Sequence, residues 1–439
     1  MRHLLKFYLG VTLLAVGWAA CNTASLPFQT SQDVSHPTTK PAVNLRITVW
    51  SGNPAHLALL NEIADAYQDI HPDVTVQFDT IPFGDYTEKV TVQLTGENPP
   101  DAGWIVESSA LAFIEAGALV NLNPVLKQNP NYDFADFSEP ALQLWVKDNA
   151  VYGIPFSTSP FFIFYNRNLF RSAGIETPDV LLSKGQWTWQ TLAEVANNIA
   201  NSTPPEIYGF ESLDAGVYDD RVWNTLIPII WAYGGDAWDA KDARCRLNTA
   251  ESVEAVQLYH KMVFVDGSAV PPGEDGDFYS GRSAMTIGQL SRVARLQDAS
   301  FEWDIVPLPH GPAGEVPVIG QAAIAVFEAG KHKKQAADFA AFMTTKENVR
   351  AMAQFFPPAR LSVLESDEFL QANKLVSSQS IQQTIIPAIH NGRVLPAHAN
   401  FPEIDMVARP LFKNLWVSDA NIEAVLTEIC TAITPLLKQ

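Results

Sequence analysis

The feature that most constrains this chain is a change of apolar period, repeated between Leu45 and Val106. In "LRITVW", Leu45, Ile47 and Val49 alternate, the period of a half-buried strand. The loop "SGNPAH" ends that strand. Leu60, Ile63, Ala64 and Tyr67 then recur at helical spacing until His71-Pro72 stops the helix, and Val74, Val76 and Phe78 alternate again. Asp85 followed by Glu88 reads as a capping box opening a helix through Leu94. "AGWIV", Ala102 to Val106, reads as a third strand, followed by a helix ending at Gly117. Strands alternating with helices predict an α/β chain with a mostly parallel sheet covered on both faces.

At 439 residues the chain exceeds what one hydrophobic core serves, so about two domains are expected. A composition of 47% apolar and 18% charged residues is that of a folded globular protein. A formal charge of −19 argues against a nucleic-acid partner. The one short basic run, Lys331 to Lys334, reads as a solvated helix start.

The N-terminus reads as an address. Arg2 and Lys6 precede an apolar stretch, Phe7 to Val16, too short to span a bilayer and followed by "WAAC", Trp18 to Cys21. Residues 1–20 are therefore expected to be a signal peptide. Residues 21–43 are rich in Ser, Thr and Pro and read as a flexible tether, which as a coil reaches on average about 25 Å. Cys245 and Cys430, far apart in sequence, are open to two readings: a pair formed in an oxidising compartment, or two buried free thiols.

Residues 151–170, "VYGIPFSTSPFFIFYNRNLF", read either as one buried strand or as a segment that leaves one core and enters another. The segments "PPDAGWIVESSALAFIEAGALVNL", "VYGIPFSTSPFFIFYNRNLFRSAGI", "QWTWQTLAEVANNIA", "FYSGRSAMTIG", "DIVPLPHGPAGEVPVIGQAAIAVF" and "FMTTKENVRAMAQFFPPAR" occur in an order that resembles the family 1 extracellular solute-binding proteins, the sugar receptors of ABC importers. "WAAC" similarly resembles a lipobox, with Trp18 in place of its usual leucine, and implies a lipid anchor on Cys21 at the outer face of the cytoplasmic membrane. The resemblance implies a periplasmic-binding-protein-like fold of two α/β lobes with a hinge and a ligand cleft between them. The lobes are expected over 44–158 with 322–368, and 159–321 with 369–439. Chain crossings are expected at Ser157–Phe161, at Val318–Ala323 and near Asp367–Gln371. The implied protein is a monomer that captures a carbohydrate and delivers it to a membrane permease, using no cofactor and no metal.

A sugar offers a face of C–H bonds and a rim of hydroxyls, which call for aromatic rings and for Asp, Glu, Asn, Gln or Arg. Among the tryptophans, Trp50, Trp104, Trp223 and Trp231 stand at expected strand ends or loops. Trp50 and Trp231 are the candidates, because each abuts a turn of the kind that faces the crevice of a doubly wound sheet. The resemblance adds Asp85, Tyr86, Glu107, Ser108, Thr158, Phe161, Gly234, Gly235, Asp236, Gly288, Gln289, Gly320, Gln321, Phe356 and Arg360. Arg360 has a planar fork suited to two neighbouring hydroxyls or a carboxylate.

Four other readings stay open. No G-x-S-x-G, H-E-x-x-H, P-loop or G-x-G-x-x-G occurs, but carboxylate pairs for glycoside hydrolysis are definable only in three dimensions. His390 and His398 are near each other at no standard metal spacing. A non-sugar ligand such as a glycerol phosphodiester, or an adhesive or scaffolding lipoprotein, is the remaining alternative.

Overall fold

The computed structural model describes residues 42–130, 132–212, 222–239 and 241–438. The signal peptide, Cys21 and the tether up to residue 41 lie outside them. Strand β1 (Val43–Val49) buries Leu45, Ile47 and Val49. Asn53 then starts helix α1 (Pro54–Ile70), accepting a hydrogen bond from the Ala55 amide with proline in the first turn. Its buried stripe of Leu59, Leu60, Ile63, Ala64 and Tyr67 covers the sheet. Strand β2 (Val74–Thr80) runs parallel to β1, from Val43 opposite Val74 to Val49 opposite Thr80. Helix α2 (Tyr86–Leu94) follows, but the Asp85 side chain makes no capping bond and is held by Lys89 Nζ at 2.7 Å. Strand β3 (Ala102–Val106) lies parallel on the other edge of β1 and runs directly into helix α3 (Glu107–Glu115).

The rest of the chain alternates between this sheet and a second one. Strand β4 (Ile154–Pro160) belongs to the first sheet, and strand β5 (Phe162–Asn166) begins the second. Helix α4 (Val222–Tyr233), strand β6 (Met285–Gly288) and strand β7 (Trp303–Pro307) come next; β6 and β7 flank β5 antiparallel. Strand β8 (Val318–Val326) returns to the first sheet, followed by helix α5 (Lys333–Met343), strand β9 (Arg393–Val394) and helix α6 (Ile422–Ile433). The order is β9–β8–β3–β1–β2, with β4 also paired to β8. Because β8 arrives from the second sheet and not through a helix laid on the first, it runs antiparallel to both β3 and β4. The first sheet is thus mixed, with three parallel pairings and two antiparallel ones, both made by β8.

Residues 151–170 are not one continuous strand. Phe161 sits at the break, donating its amide to the Val318 carbonyl at 2.8 Å. Beyond it the alternation of β5 divides two cores: Phe162 and Phe164 face the core of the first sheet, while Ile163 and Tyr165 face that of the second. In β8, Val318 packs in the second core and Ala322 to Val326 in the first. Phe369 still packs in the first core and Asn373 bonds to the Gln354 carbonyl, whereas Ser380 Oγ bonds to Asp304 on β7 at 2.8 Å. Cys245 and Cys430 form a disulfide that ties α6 to the second core, which resolves the thiols into a pair. Lys333 and Lys334 lie exposed in the first turn of α5.

Candidate functional site

A cavity of about 250 Å³ opens where the two sheets meet. The first sheet supplies the ends of its strands: Trp50 to Asn53 after β1, Val106 and Glu107 at the β3–α3 junction, Ser157 and Ser159 of β4, and Gly320 to Ala322 of β8. The β4–β8 ladder shifts register between Ala322 and Ala323, beside these residues. The far wall is Gln289 together with Ser291, Arg292 and Arg295 of the 3-10 helix Leu290–Leu296, and Asn224 of α4.

Two titratable groups are buried in the wall. His56, in the first turn of α1, places Nδ1 2.7 Å from Ser51 Oγ. Burial lowers its pKa to about 4; a hydrogen bond with the Ser291 backbone offsets part of this and the Arg292 charge adds to it. The imidazole is therefore neutral near pH 7. Glu107, 3% exposed, accepts the Gln321 amide on Oε2 at 2.7 Å. Burial raises its pKa to about 7, against the hydrogen bonds from the Gln321 and Glu107 backbone amides.

The aromatic surface is built around Trp50, which is half-buried. Phe83, Tyr86 and Trp104 meet its ring near the perpendicular at centroid distances of 5.8, 5.2 and 5.0 Å, fixing its orientation. Phe156 and Phe356 extend the wall, packed on each other at 5.6 Å and both on Trp104. Together the lining offers a fixed apolar plate, side-chain amides from Asn53, Gln289 and Gln321, and serine hydroxyls.

The sequence profile of the bacterial extracellular solute-binding proteins matches residues 52–350. The chain belongs to that family. A binding protein of Brucella abortus, known as putative, is 23% identical over 412 residues, covering 91% of this chain and 94% of its own. A lactose-binding protein of Rhizobium radiobacter is 22% identical, covering 67% and 69%. Among solved structures, the ABC substrate-binding protein Lmo0181 of Listeria monocytogenes, in complex with cycloalternan, superposes with a TM-score of 0.79 at 22% identity, covering 90% of this chain and 99% of that one. At that identity the likeness establishes a shared two-lobe fold.

Within this solute-binding protein the expected residues divide. Trp50, Glu107, Phe161, Gln289, Gly320, Gln321 and Phe356 line the cavity. Gly320 lets Gln289 pass: a Cβ there would stand 2.9 Å from Gln289 Nε2, which donates to the Ser159 carbonyl. Tyr86 lies behind Trp50, its hydroxyl donating to the Thr48 carbonyl. Thr158 does not line the cavity, because strand alternation turns it away from the face of Ser157 and Ser159. Asp85 is an exposed partner of Lys89, and Ser108 and Gly288 lie outside the lining.

Trp231 and Arg360 are corrections. The apolar run before Trp231 is helix α4, buried on nearly every side, not a strand leading to a crevice. Trp231 is 3% exposed, donates Nε1 to Asp236 at 2.8 Å and carries the Arg393 guanidinium 4.0 Å over its ring. Gly234 and Gly235 turn the chain here, and a Cβ on Gly235 would come within 2.2 Å of Ser252 Oγ, so packing accounts for it. Arg360 is 1% exposed; its donors go to the carbonyls of Thr344, Asp133 and Tyr132 and to Asp136. Its fork is taken up by those partners, and Arg360 is not among the residues that line the cavity. Asn53, His56, Phe83, Phe156, Asn224, Ser291, Arg292 and Arg295 line the cavity without having been singled out. The first two stand in "SGNPAH", the turn after the first strand, where a doubly wound sheet places its crevice.

Proposed function

We propose that this protein is the capture component of an ABC importer: it binds a carbohydrate in the cavity between its sheets and presents it to a membrane permease. The observation that carries this reading is the Trp50 ring, clamped edge-on by Phe83, Tyr86 and Trp104, in a wall of amide, hydroxyl and carboxyl groups. Such a wall matches a sugar's C–H face and hydroxyl rim. The relative named for lactose and the neighbour holding cycloalternan support the same class. A thermal-shift panel of mono- and oligosaccharides tests it, since a ligand that binds only the folded state raises the melting temperature. A panel without a shift would count against the reading.

The reading is of a receptor without turnover. Glu107 is the only carboxylate among the described lining residues, whereas glycoside hydrolysis ordinarily uses two flanking the scissile bond. Release of shortened products from any bound saccharide would overturn this. The same reading takes 44–158 with 322–368 and 159–321 with 369–439 as the two lobes, with the third crossing near Asp367–Gln371; Ile381, Ile385 and Ile389 beyond that crossing still pack with the first core. The lipid anchor on Cys21 belongs to the same reading: Cys21→Ser should release the protein from membranes, and equal fractionation of mutant and parent would refute it.

A further inference from the structure

Two of the three cysteines in the chain are joined, and both belong to the second core. Cys245 ends the short hairpin of strands Trp238–Asp239 and Arg244–Cys245, and Cys430 stands in the last turn of α6. Their bond links positions 185 apart in sequence. With residual exposures of 5% and 6%, neither side chain is open to a second molecule in the folded protein. A disulfide is made and broken by attack of a thiolate on an accessible sulfur. A pair buried this far is therefore made while the second core is still open, and is shielded once that core has closed.

The bond also reaches the cavity through packing. Trp238 pairs with Cys245 across the hairpin, and its ring meets that of Trp223 on α4 at a centroid distance of 5.8 Å. The next residue of α4, Asn224, lines the cavity. Pro228, inside α4, has no N–H to give the Asn224 carbonyl four residues earlier, so the helix ladder holds this first turn less firmly. Side-chain contacts must then fix it. Trp223 supplies them: Nε1 donates to Asp405 at 2.9 Å, Phe412 packs at 5.0 Å, and Trp238 closes the remaining side. The disulfide ties the hairpin that carries Trp238 to α6, and so braces α4 from behind.

We propose that the Cys245–Cys430 bond is a maturation step, made outside the cytoplasm by a disulfide-bearing thiol oxidant before the second core closes, and that it fixes the α4 wall of the cavity. The extracellular location of the family supplies the oxidising compartment. A chain exported from its N-terminus presents Cys245 first. Its thiolate attacks the oxidant's disulfide, forming a mixed disulfide and releasing one oxidant thiol. The Cys430 thiolate then attacks the Cys245 sulfur, and the second oxidant sulfur leaves as a thiol. Two electrons and two protons have passed from the cysteine pair to the oxidant. The inference goes beyond the carbohydrate reading and does not rest on it.

Refolding of the full chain with glutathione disulfide as the oxidant tests it, with alkylation and peptide mapping to locate the thiols. The unfolded reduced chain should join Cys245 to Cys430. A chain first folded under reductant should gain the bond at least about tenfold more slowly, and the native oxidised chain should keep it in dithiothreitol until denatured. Hydrogen exchange should show α4 opening about tenfold more often in the folded reduced chain than in the oxidised one, with β1 and β3 unchanged. Cys245→Ala combined with Cys430→Val, which fills the space without thiols, should exchange like the reduced chain. Free thiols at both positions after oxidative refolding, equal oxidation rates of folded and unfolded chains, or equal α4 exchange in the oxidised and reduced forms would overturn the proposal. A reduced chain and a double variant that both lose the first sheet would overturn it too, because the brace acts on the second lobe alone. No readout here uses a saccharide, so its failure leaves the capture reading standing.

Discussion

Replacing Glu107 by glutamine should make the ligand-free protein more stable at high pH and leave it nearly unchanged at low pH. The carboxyl's pKa moves from 4.5 when solvated to about 7 in the fold, chiefly through burial. At about 1.4 kcal/mol per pH unit this amounts to about 3 kcal/mol. The sign follows from proton uptake: between those values the folded state holds the proton more tightly than the unfolded chain. Stability is fully present below 4.5 and is lost as pH rises through about 7. Glutamine keeps an oxygen to accept the Gln321 amide but has no charge to desolvate. Urea denaturation of parent and Glu107→Gln at pH 4 and pH 8 should show near-equal stabilities at the first pH and a gap of about 3 kcal/mol in favour of the mutant at the second. Parallel pH profiles would refute the argument and show that Glu107 reaches solvent.

Trp50→Ala should lower carbohydrate affinity by roughly 1–3 kcal/mol in calorimetry, the usual cost of removing an aromatic anchor. Trp231→Ala should instead cost about 3–5 kcal/mol of folding stability, because that ring is core; undiminished stability in chemical denaturation would return it to the cleft. Arg360→Met should destabilise by about 3–5 kcal/mol, since it removes the donor to the Thr344, Asp133 and Tyr132 carbonyls and leaves the Asp136 carboxylate buried without its cation, held only by Ser362, and an unaltered urea midpoint would contradict this. Small-angle scattering should show compaction on adding a confirmed ligand, because hinge closure moves lobes while leaving their interiors intact; an unchanged radius of gyration would argue for a rigid cleft.

The first half of the fold was legible because its elements are amphipathic. β1, α1 and β2 each bury one stripe, and a stripe has a period, whereas β3 is buried on both faces and was readable from its short apolar run. Helix α4 is apolar almost all round, so its sequence carries no period to separate a buried helix from a strand, and Trp231 was misplaced with it. Arg360 failed for another reason: arginine is usually exposed, and no local pattern announces that Tyr132, Asp133, Asp136 and Thr344 converge on it from elsewhere in the chain. Glu107 and Gln321 were found through the family resemblance, yet the hydrogen bond between them spans 214 positions and exists only in the fold. His56 was within reach in "SGNPAH", where the sheet's topology pointed, but its burial and its contact with the Ser291 backbone were not readable from sequence. Arg292 stood three residues beyond Gln289 on a turn with no recognisable signature.

The central claim, that the space between the sheets holds a carbohydrate against Trp50, is tested most directly by a crystal structure grown with whichever saccharide most raises the melting temperature. The account predicts a sugar ring lying on the Trp50 indole, with hydroxyls within hydrogen-bonding distance of Glu107, Gln289 or Gln321. A saccharide bound outside this cavity, or a cavity that stays free of sugar at saturating concentration, would contradict it.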